Sequence, residues 1–571
     1  MKKVKIDKML RKRVIFFILA VMLGSLSMYS QQIDLNKPGA MFSKDKWLTI
    51  NGGFSASSIY YTGNEPYARD PFTYYLTGNL NFNIAGLIDL PFSFNFTNSG
   101  ANYTYPTLPN RLSLHPVYKF LTGHIGDVSM SFSPYTLNGH QFTGVGLDVN
   151  PDKPFKCSIM YGRLQRQVEF GDGRNDIQAA YKRMGAGVNL RYEKQRYRLA
   201  ASLLSVQDDE NSLAWKPDSL MIFPQQNIAG SFTAGFELVK NLQWTVEYGI
   251  SHLNRDLRET DSTKNVQTFQ AFKTSIHYTF LSNTVGIGYE RVDPGYKTLG
   301  AYYFNNDLEN ITLNYARPFF NNRANIVLSA GLQRDDLKRR NDSQTNRFVF
   351  SADANYAVSD RLNFSGSYTT FQTHMNLRSQ FDYINELTPY DNLDTLNYTQ
   401  LSQNVNFNTL YLFGRNENRK HQLNLFLSYQ EAADKQGDII PEGGVSLFYN
   451  ASLGYGLQFV PQEINLNMSL NLTNNRLNNQ DLYILGPSLG ITARFLDKKL
   501  SSGITGSYNT GYLAGAKQNE VWNFRFNTSY LLLKKHNLSL SAIYRNNALL
   551  RTAAMARSNG LTITTAYSYR F

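Results

Sequence analysis

Apolar and polar residues alternate one by one, in segments of eight to thirteen residues, along nearly all of this 571-residue chain, and a period of 3.6 almost nowhere replaces that alternation. In "TYYLTGNLNFNI", Tyr74, Leu76, Leu80, Phe82 and Ile84 share one face of an extended strand, while Thr77, Asn79, Asn81 and Asn83 share the other. "NLQWTVEYGI" aligns Leu242, Trp244, Val246, Tyr248 and Ile250, and "EINLNMSLNL" sets Ile464, Leu466, Met468, Leu470 and Leu472 against Asn465, Asn467, Ser469 and Asn471. Each segment is long enough to cross a bilayer as a tilted strand. No run of 18 apolar residues follows Leu26, so no transmembrane helix is available.

The first residues have a different character. Lys2, Lys3, Lys5, Lys8, Arg11, Lys12 and Arg13 precede the apolar stretch "VIFFILAVMLGSL", the pattern of a secretory signal peptide, and cleavage is expected after Ser30. The expected organisation is a leader over 1–30, a short periplasmic tail over 31–46 and a transmembrane barrel over 47–571. Much of the formal net charge of +13 sits in the leader, so basicity is no argument for nucleic acid as a partner. The single cysteine, Cys157, excludes an internal disulfide, and an exported chain of this length must be held together by other means.

Links between the alternating segments come in two kinds, and the kinds take turns. Tight links include "IAGL" (84–87), "EKQR" (193–196), "LSN" (281–283), "SDR" (359–361), "VPQE" (460–463), "DKK" (497–499) and "KKHN" (534–537). Long polar links include 206–228, 252–267, 333–346, 372–400, 430–444, 473–483 and 546–558. This alternation belongs to a meander whose two ends face different compartments. The fold class expected is an all-β, transmembrane, antiparallel up-and-down β-barrel of 22 to 28 strands, 26 by direct count, with short periplasmic turns and long extracellular loops. That count splits 112–133 into two strands and treats 298–316 as one long bulged strand. A β-sandwich would need domain blocks of about 100 residues joined by linkers rich in Pro, Gly or Ser, and none occurs.

The chain closes on "GLTITTAYSYRF". Its alternating aromatics, Tyr567, Tyr569 and the terminal Phe571, resemble the C-terminal assembly signal of bacterial outer-membrane proteins. That resemblance implies the barrel assembly machinery as a partner, and apolar faces on so many consecutive strands call for outer-membrane lipid as the surface that covers them. "HPVYKFLTGHIGDVSMSFSPYTLNGHQFTGVGLDVNP" (115–151) and "YERVDPGYKTLGAYYFNNDLENITLNYARP" (289–318) are similar to stretches in large outer-membrane barrels of Bacteroidota, a likeness that implies location and no activity. Within them "SPYTLNG" and "DPGYKTLG" read as Pro and Gly turns with aromatic supports, folding into the barrel mouth.

Inward positions are mostly Asn, Ser, Thr and Gly, as at Asn404, Asn406 and Asn408, so the interior is expected to be wet and nearly neutral. Arg494, Arg525, Arg545 and Arg570 alternate with outward aromatics near the seam and form a candidate basic strip for anionic solutes. Pairing of these arginines with loop carboxylates is the competing reading. Asp382, Glu386, Asp391 and Asp394 cluster in the 372–400 link without EF-hand spacing, and they and "EFGDGRND" (169–176) read as solvated loops rather than calcium sites. The eight histidines show no HExxH, and no GxSxG elbow, Walker loop or dinucleotide fingerprint occurs. No enzyme, cofactor or metal is therefore expected.

Barrels of 22 strands are normally plugged, so a wider ring needs a filling. With only 31–46 ahead of the first strand, the expected filling is inward-folded loops, above all 372–400 and 206–228, or a separate plug or periplasmic partner protein. The functional expectation is a channel or transport role for a polar cargo. A non-conducting scaffold or subunit of an export or surface-assembly complex is the alternative.

Overall fold

The computed structural model describes residues 47–64, 70–98, 111–169, 179–214, 222–259, 265–302, 304–334, 337–338, 346–370, 375–376, 397–398, 401–433, 445–477, 480–550 and 556–571. The expected leader (1–30) and tail (31–46) lie outside these residues, as do Asp382, Glu386, Asp391 and Asp394.

The alternating segments pair into one antiparallel sheet that closes on itself. Arg111–Leu114 and Val117–Tyr118 are two halves of a strand broken at His115 and Pro116, so the 27 strand segments of this sheet make a wall of 26 strands. Closure joins the first strand, Leu48–Gly63, to the last, Ala556–Arg570, in a register running from Gly53 opposite Arg570 to Gly63 opposite Gly560. No edge is left to expose bare N–H and C=O groups to hydrocarbon. This seam predicts a cross-link. Ser57 stands opposite Ala566, so Ser57→Cys with Ala566→Cys, in a Cys157→Ser background, is expected to form a disulfide that changes the gel mobility of the folded barrel. Ser57→Cys combined with Thr564→Cys instead is expected to give far less product.

Turns on the side of both termini are tight. Leu281 and Ser282 join Val266–Phe280 to Asn283–Val292 with φ of 45° and 68°, the left-handed pair of a type I′ hairpin that matches strand twist. One glycine is required on steric grounds in the broken strand's neighbour. Gly126 has φ of 97°, and a Cβ there would lie 2.1 Å from the carbonyl oxygen of Leu112.

The outer face carries exposed large apolar side chains throughout, Leu203, Ile287, Leu313, Leu453, Leu470 and Ile504 among them. Near the tight turns aromatic rings gather in pairs: Phe155 with Tyr192, Tyr278 with Phe280, Tyr411 with Phe413 and Tyr569 with Phe571 lie 4.8 to 5.4 Å apart by centroid. Toward the loop end Phe348, Phe350 and Tyr368, Tyr429 with Tyr449, and Tyr508 with Trp522 form the corresponding band. Two aromatic belts bounding an aliphatic zone are what a bilayer with two interfaces selects.

Three sequence expectations are corrected. The segment 298–316 is not one bulged strand: the strand begins at Leu308, and the residues before it leave the wall and turn inward. The 473–483 link is largely strand, since Ile464–Leu477 and Gln480–Phe495 pair up to Leu477 opposite Gln480. The interior is not uniformly polar, because one sector of the inner wall is lined by Phe142, Met160, Leu164, Leu204, Val206, Leu253, Phe269 and Val292.

Candidate functional site

Two loops fold into the lumen and clasp each other, and each begins with a turn that its sequence demands. In 130–140, Pro134 follows Ser133 at the position where its fixed φ suits a β-turn, and the Thr136 amide bonds the Ser133 carbonyl at 3.1 Å. In 293–307, Pro294 and Gly295 (φ 85°) make a type II turn closed by the Tyr296 amide on the Asp293 carbonyl at 3.0 Å.

The turns aim the loops at one another. Asn138 N–H donates to the Gly300 carbonyl at 2.9 Å, Thr298 Oγ1 donates to the Thr136 carbonyl at 2.6 Å, and the Tyr296 hydroxyl donates to the Tyr135 carbonyl at 2.8 Å. Phe304 stacks on Tyr296 at 4.8 Å, and Tyr135 meets both rings edge-on. Buried loop backbone thus finds partners that a strand ladder would otherwise supply.

Wall residues hold the clasp from the other side. Ser133 Oγ donates to Glu247 Oε1 at 2.5 Å, the Tyr135 hydroxyl donates to Glu290 Oε1 at 3.0 Å, and Ser251 Oγ donates to the Lys297 carbonyl at 2.6 Å. The Leu299 amide donates to Asn227 Oδ1 at 3.2 Å. Leu137 and Leu299 pack with Leu204 and Val206, and Tyr135 and Tyr296 with Leu253, Phe269 and Val292. Tyr135, Leu137 and Tyr296 are as buried as any side chain of a globular core. Gly249 makes this contact possible, since a Cβ there would stand 2.6 Å from Tyr135 Cβ.

Burial sets the ionisation of the loop groups. Desolvation, reinforced by the Glu290 carboxylate, holds the Tyr135 phenol far above its usual range, so it remains a hydrogen-bond donor. Burial likewise raises Tyr296 and lowers Lys297. His140 is pushed down to about 4 by burial, with the Arg183 charge adding to the effect and its Nδ1 bond to the Gln141 carbonyl opposing it. Its ring lies on Tyr302, centroids 4.1 Å apart.

A released loop exposes His140 at an ordinary histidine pKa of about 6.5, so the released state binds more protons between that value and about 4. His140 stabilises the clasp fully above pH ~6.5, loses about 2 kcal/mol of that contribution by pH 5, and loses the rest as pH falls through the clasped value. Limited proteolysis within 130–140 is expected to accelerate between pH 7 and pH 5, and His140→Gln to flatten that profile.

Sequence reasoning placed "SPYTLNG" and "DPGYKTLG" in the barrel mouth, and these are the segments found inside. It missed the wall residues that receive them. A signal was present: Leu203 and Leu204 are adjacent, yet the first is half-exposed on the outside and the second fully buried on the inside. Apolar residues on both faces of a strand mark a docking sector. A polar cluster was also missed, in which His115 and His124 share a 2.9 Å Nδ1 contact and Asp148 holds Nε2 of His124 at 2.9 Å.

The 206–228 link contributes less than its length suggests. Its described residues extend the wall to Asp208 and resume it at Gln226, and Leu213 packs at the rim with Ala179 and Tyr181. The 372–400 link lies outside the described residues apart from the paired Met375–Asn376 and Asn397–Tyr398. Of 169–176 only Glu169 is described, accepting from the Ala214 amide at 3.1 Å.

The four arginines alternate with outward aromatics, as their sequence positions require, but they stand at different heights. Arg545 pairs with Gly560, ten residues up the last strand from Arg570, a separation of roughly 33 Å along the wall. Arg494 lies 3.7 Å from Glu463 at a tight turn, and Arg525 Nε donates to Asn527 Oδ1 at 3.0 Å. Tyr567, Tyr569 and Phe571 sit at the seam, the first two each with ring centroids 5.9 Å from Phe54.

No family model and no curated protein matches the chain. Among solved structures it is similar to the FrpB iron transporter from Neisseria meningitidis, at 11% identity over 91% of this chain and 82% of that one, TM-score 0.38. It is similar to the P pilus usher (PapC) translocation pore at 10% identity over 92% and 100%, TM-score 0.37. The copper transporter OprC stands at 11% identity over 91% and 80%, TM-score 0.37. Similarity this low carries no argument about cargo, and the barrel rests on its own strand pairing.

Proposed function

We propose that this chain is an outer-membrane barrel that passes a polar solute, its lumen narrowed from one side by the clasped loops. The observation that carries the reading is the combination of a lipid-type exterior with an inner wall whose largest apolar sector, among the described residues, is the one where the clasp docks. Opposite the clasp the inward rows are mostly polar, with Asn404, Asn406, Asn408, Ser428, Asn450, Asn471 and Ser488 as the lining of an aqueous passage and Phe448 an apolar residue among them.

Twenty-six strands at about 4.8 Å each give a wall roughly 125 Å around, measured across the strands. Two loops of this size cover one sector of such a ring. The rest is closed by the 372–400 link or by a plug or periplasmic partner protein, and assembly proceeds through the C-terminal strand into outer-membrane lipid. Purified barrel in a planar bilayer is expected to show discrete conductance steps that scale with salt and grow when 372–400 is deleted. Silence in both forms would reject the transport role in favour of a scaffold.

A further inference from the structure

Between the clasp and the wall lies a cavity of about 490 Å³. Its chemistry rests on six residues: Tyr135, Asn138 and Phe304 from the loops, and Glu290, Asn310 and Gln333 from the wall. The three wall residues stand side by side across adjacent strands, Glu290 opposite Asn310 and Asn310 opposite Gln333.

Gln333 is only 8% exposed, yet its Oε1 has no hydrogen-bond partner among the described residues, and neither has Asn310 Oδ1. Buried acceptors of this kind call for a donor. The charge at the site is already answered: Glu290 accepts from the Tyr135 hydroxyl at 3.0 Å and has Lys273 Nζ at 3.4 Å. That leaves no uncompensated carboxylate for a cation, and among the described residues no lysine or arginine lines the cavity to hold an anion. Amides both donate and accept, as hydroxyl groups do, and the Tyr135 and Phe304 rings offer an apolar surface to the C–H face of a saturated ring. The volume falls in the range of small-ligand pockets.

We propose that this cavity binds a neutral, hydroxyl-rich ligand of the size of a short oligosaccharide. The proposal names a cargo class for the transport reading and rests on that reading only for the ligand's being cargo. Isothermal titration of the full barrel in detergent with maltotriose, cellotriose and laminaritriose, and with putrescine as the cationic comparator, tests it without requiring conduction.

Saturable binding of at least one trisaccharide is expected, weakened tenfold or more by Gln333→Leu and by Asn310→Leu and unchanged by Ile504→Ala on the outer face. Heat-shifted gel mobility reports that each variant is folded. No binding of any of the three sugars, binding that survives both substitutions, or tighter binding of putrescine would each overturn the site. A barrel silent in bilayers that still binds sugar loses its transport role and keeps the site, whereas a conducting barrel that binds none loses the site alone.

Discussion

Gly249→Leu is expected to release the clasp and leave the barrel standing. A Cβ at Gly249 would lie 2.6 Å from Tyr135 Cβ and 2.8 Å from Cγ, so the tyrosine must leave its pocket. With it go the hydroxyl bond to Glu290 and the ring contacts with Tyr296 and Phe304. By comparison with truncation of a buried aromatic residue the loss is roughly 3–5 kcal/mol, a shift of at least a hundredfold toward the released loops. The strand itself tolerates leucine, because its ladder bonds to Gln226–Val239 and Val266–Phe280 do not involve the side chain. Proteolysis within 130–140 should accelerate at least tenfold and single-channel conductance should rise several-fold. Unchanged proteolysis would mean that Tyr135 does not anchor the loop, and faster proteolysis with unchanged conductance would mean that the clasp does not lie in the conducting path.

Replacing Tyr567, Tyr569 and Phe571 together by alanine is expected to reduce assembled barrel at least tenfold. The three rings close the seam at its tight-turn end: Phe54 contacts Tyr567 and Tyr569, Tyr569 contacts Phe571, and the Tyr567 hydroxyl bonds His536 Nδ1 at 2.8 Å. At about 0.5–1.5 kcal/mol for each aromatic pair, their combined loss is a few kcal/mol at the one joint that must form between the ends of the chain. It also removes the markers that set register there, and a slip by one residue would turn every lipid-facing side chain of the last strand inward. Leu453→Ala, an apolar change on the outer face of a strand far from the seam, is the control, and an equal loss of folded barrel in both would reduce the effect to general hydrophobicity.

Much of the candidate site was legible as turn chemistry and little of it as contact. Ser133–Pro134 and Pro294–Gly295 announce turns in any context, and the aromatic residues beside them announce burial. Nothing in the linear order tells that Tyr135 meets Tyr296 or that Glu247 and Glu290 receive the first loop, because those partners are more than a hundred residues away. The 298–316 segment shows the limit plainly. Its alternation over "AYYFNNDLENITLNY" suits a strand throughout, but Tyr296 and Leu299 are drawn off the wall by a docking sector that the segment does not itself contain. The four arginines show it again: residue parity sets the side to which each points, while the height of each depends on the stagger between strands.

Sequence alone determined the all-β class, the strand count, the tight turns on one side of the sheet and the apolar outward row of the strands. Those properties follow from a period of two residues and from the need to satisfy every backbone group in hydrocarbon, and both are local or follow from counting. Only the tertiary structure decided that one sector of the inner wall is apolar, that two loops more than 150 residues apart clasp over it, and that a polar cavity remains beside them. Those features depend on which inward rows come to face which loop, and that is settled by closure of the ring, since only then do distant strands share an interior.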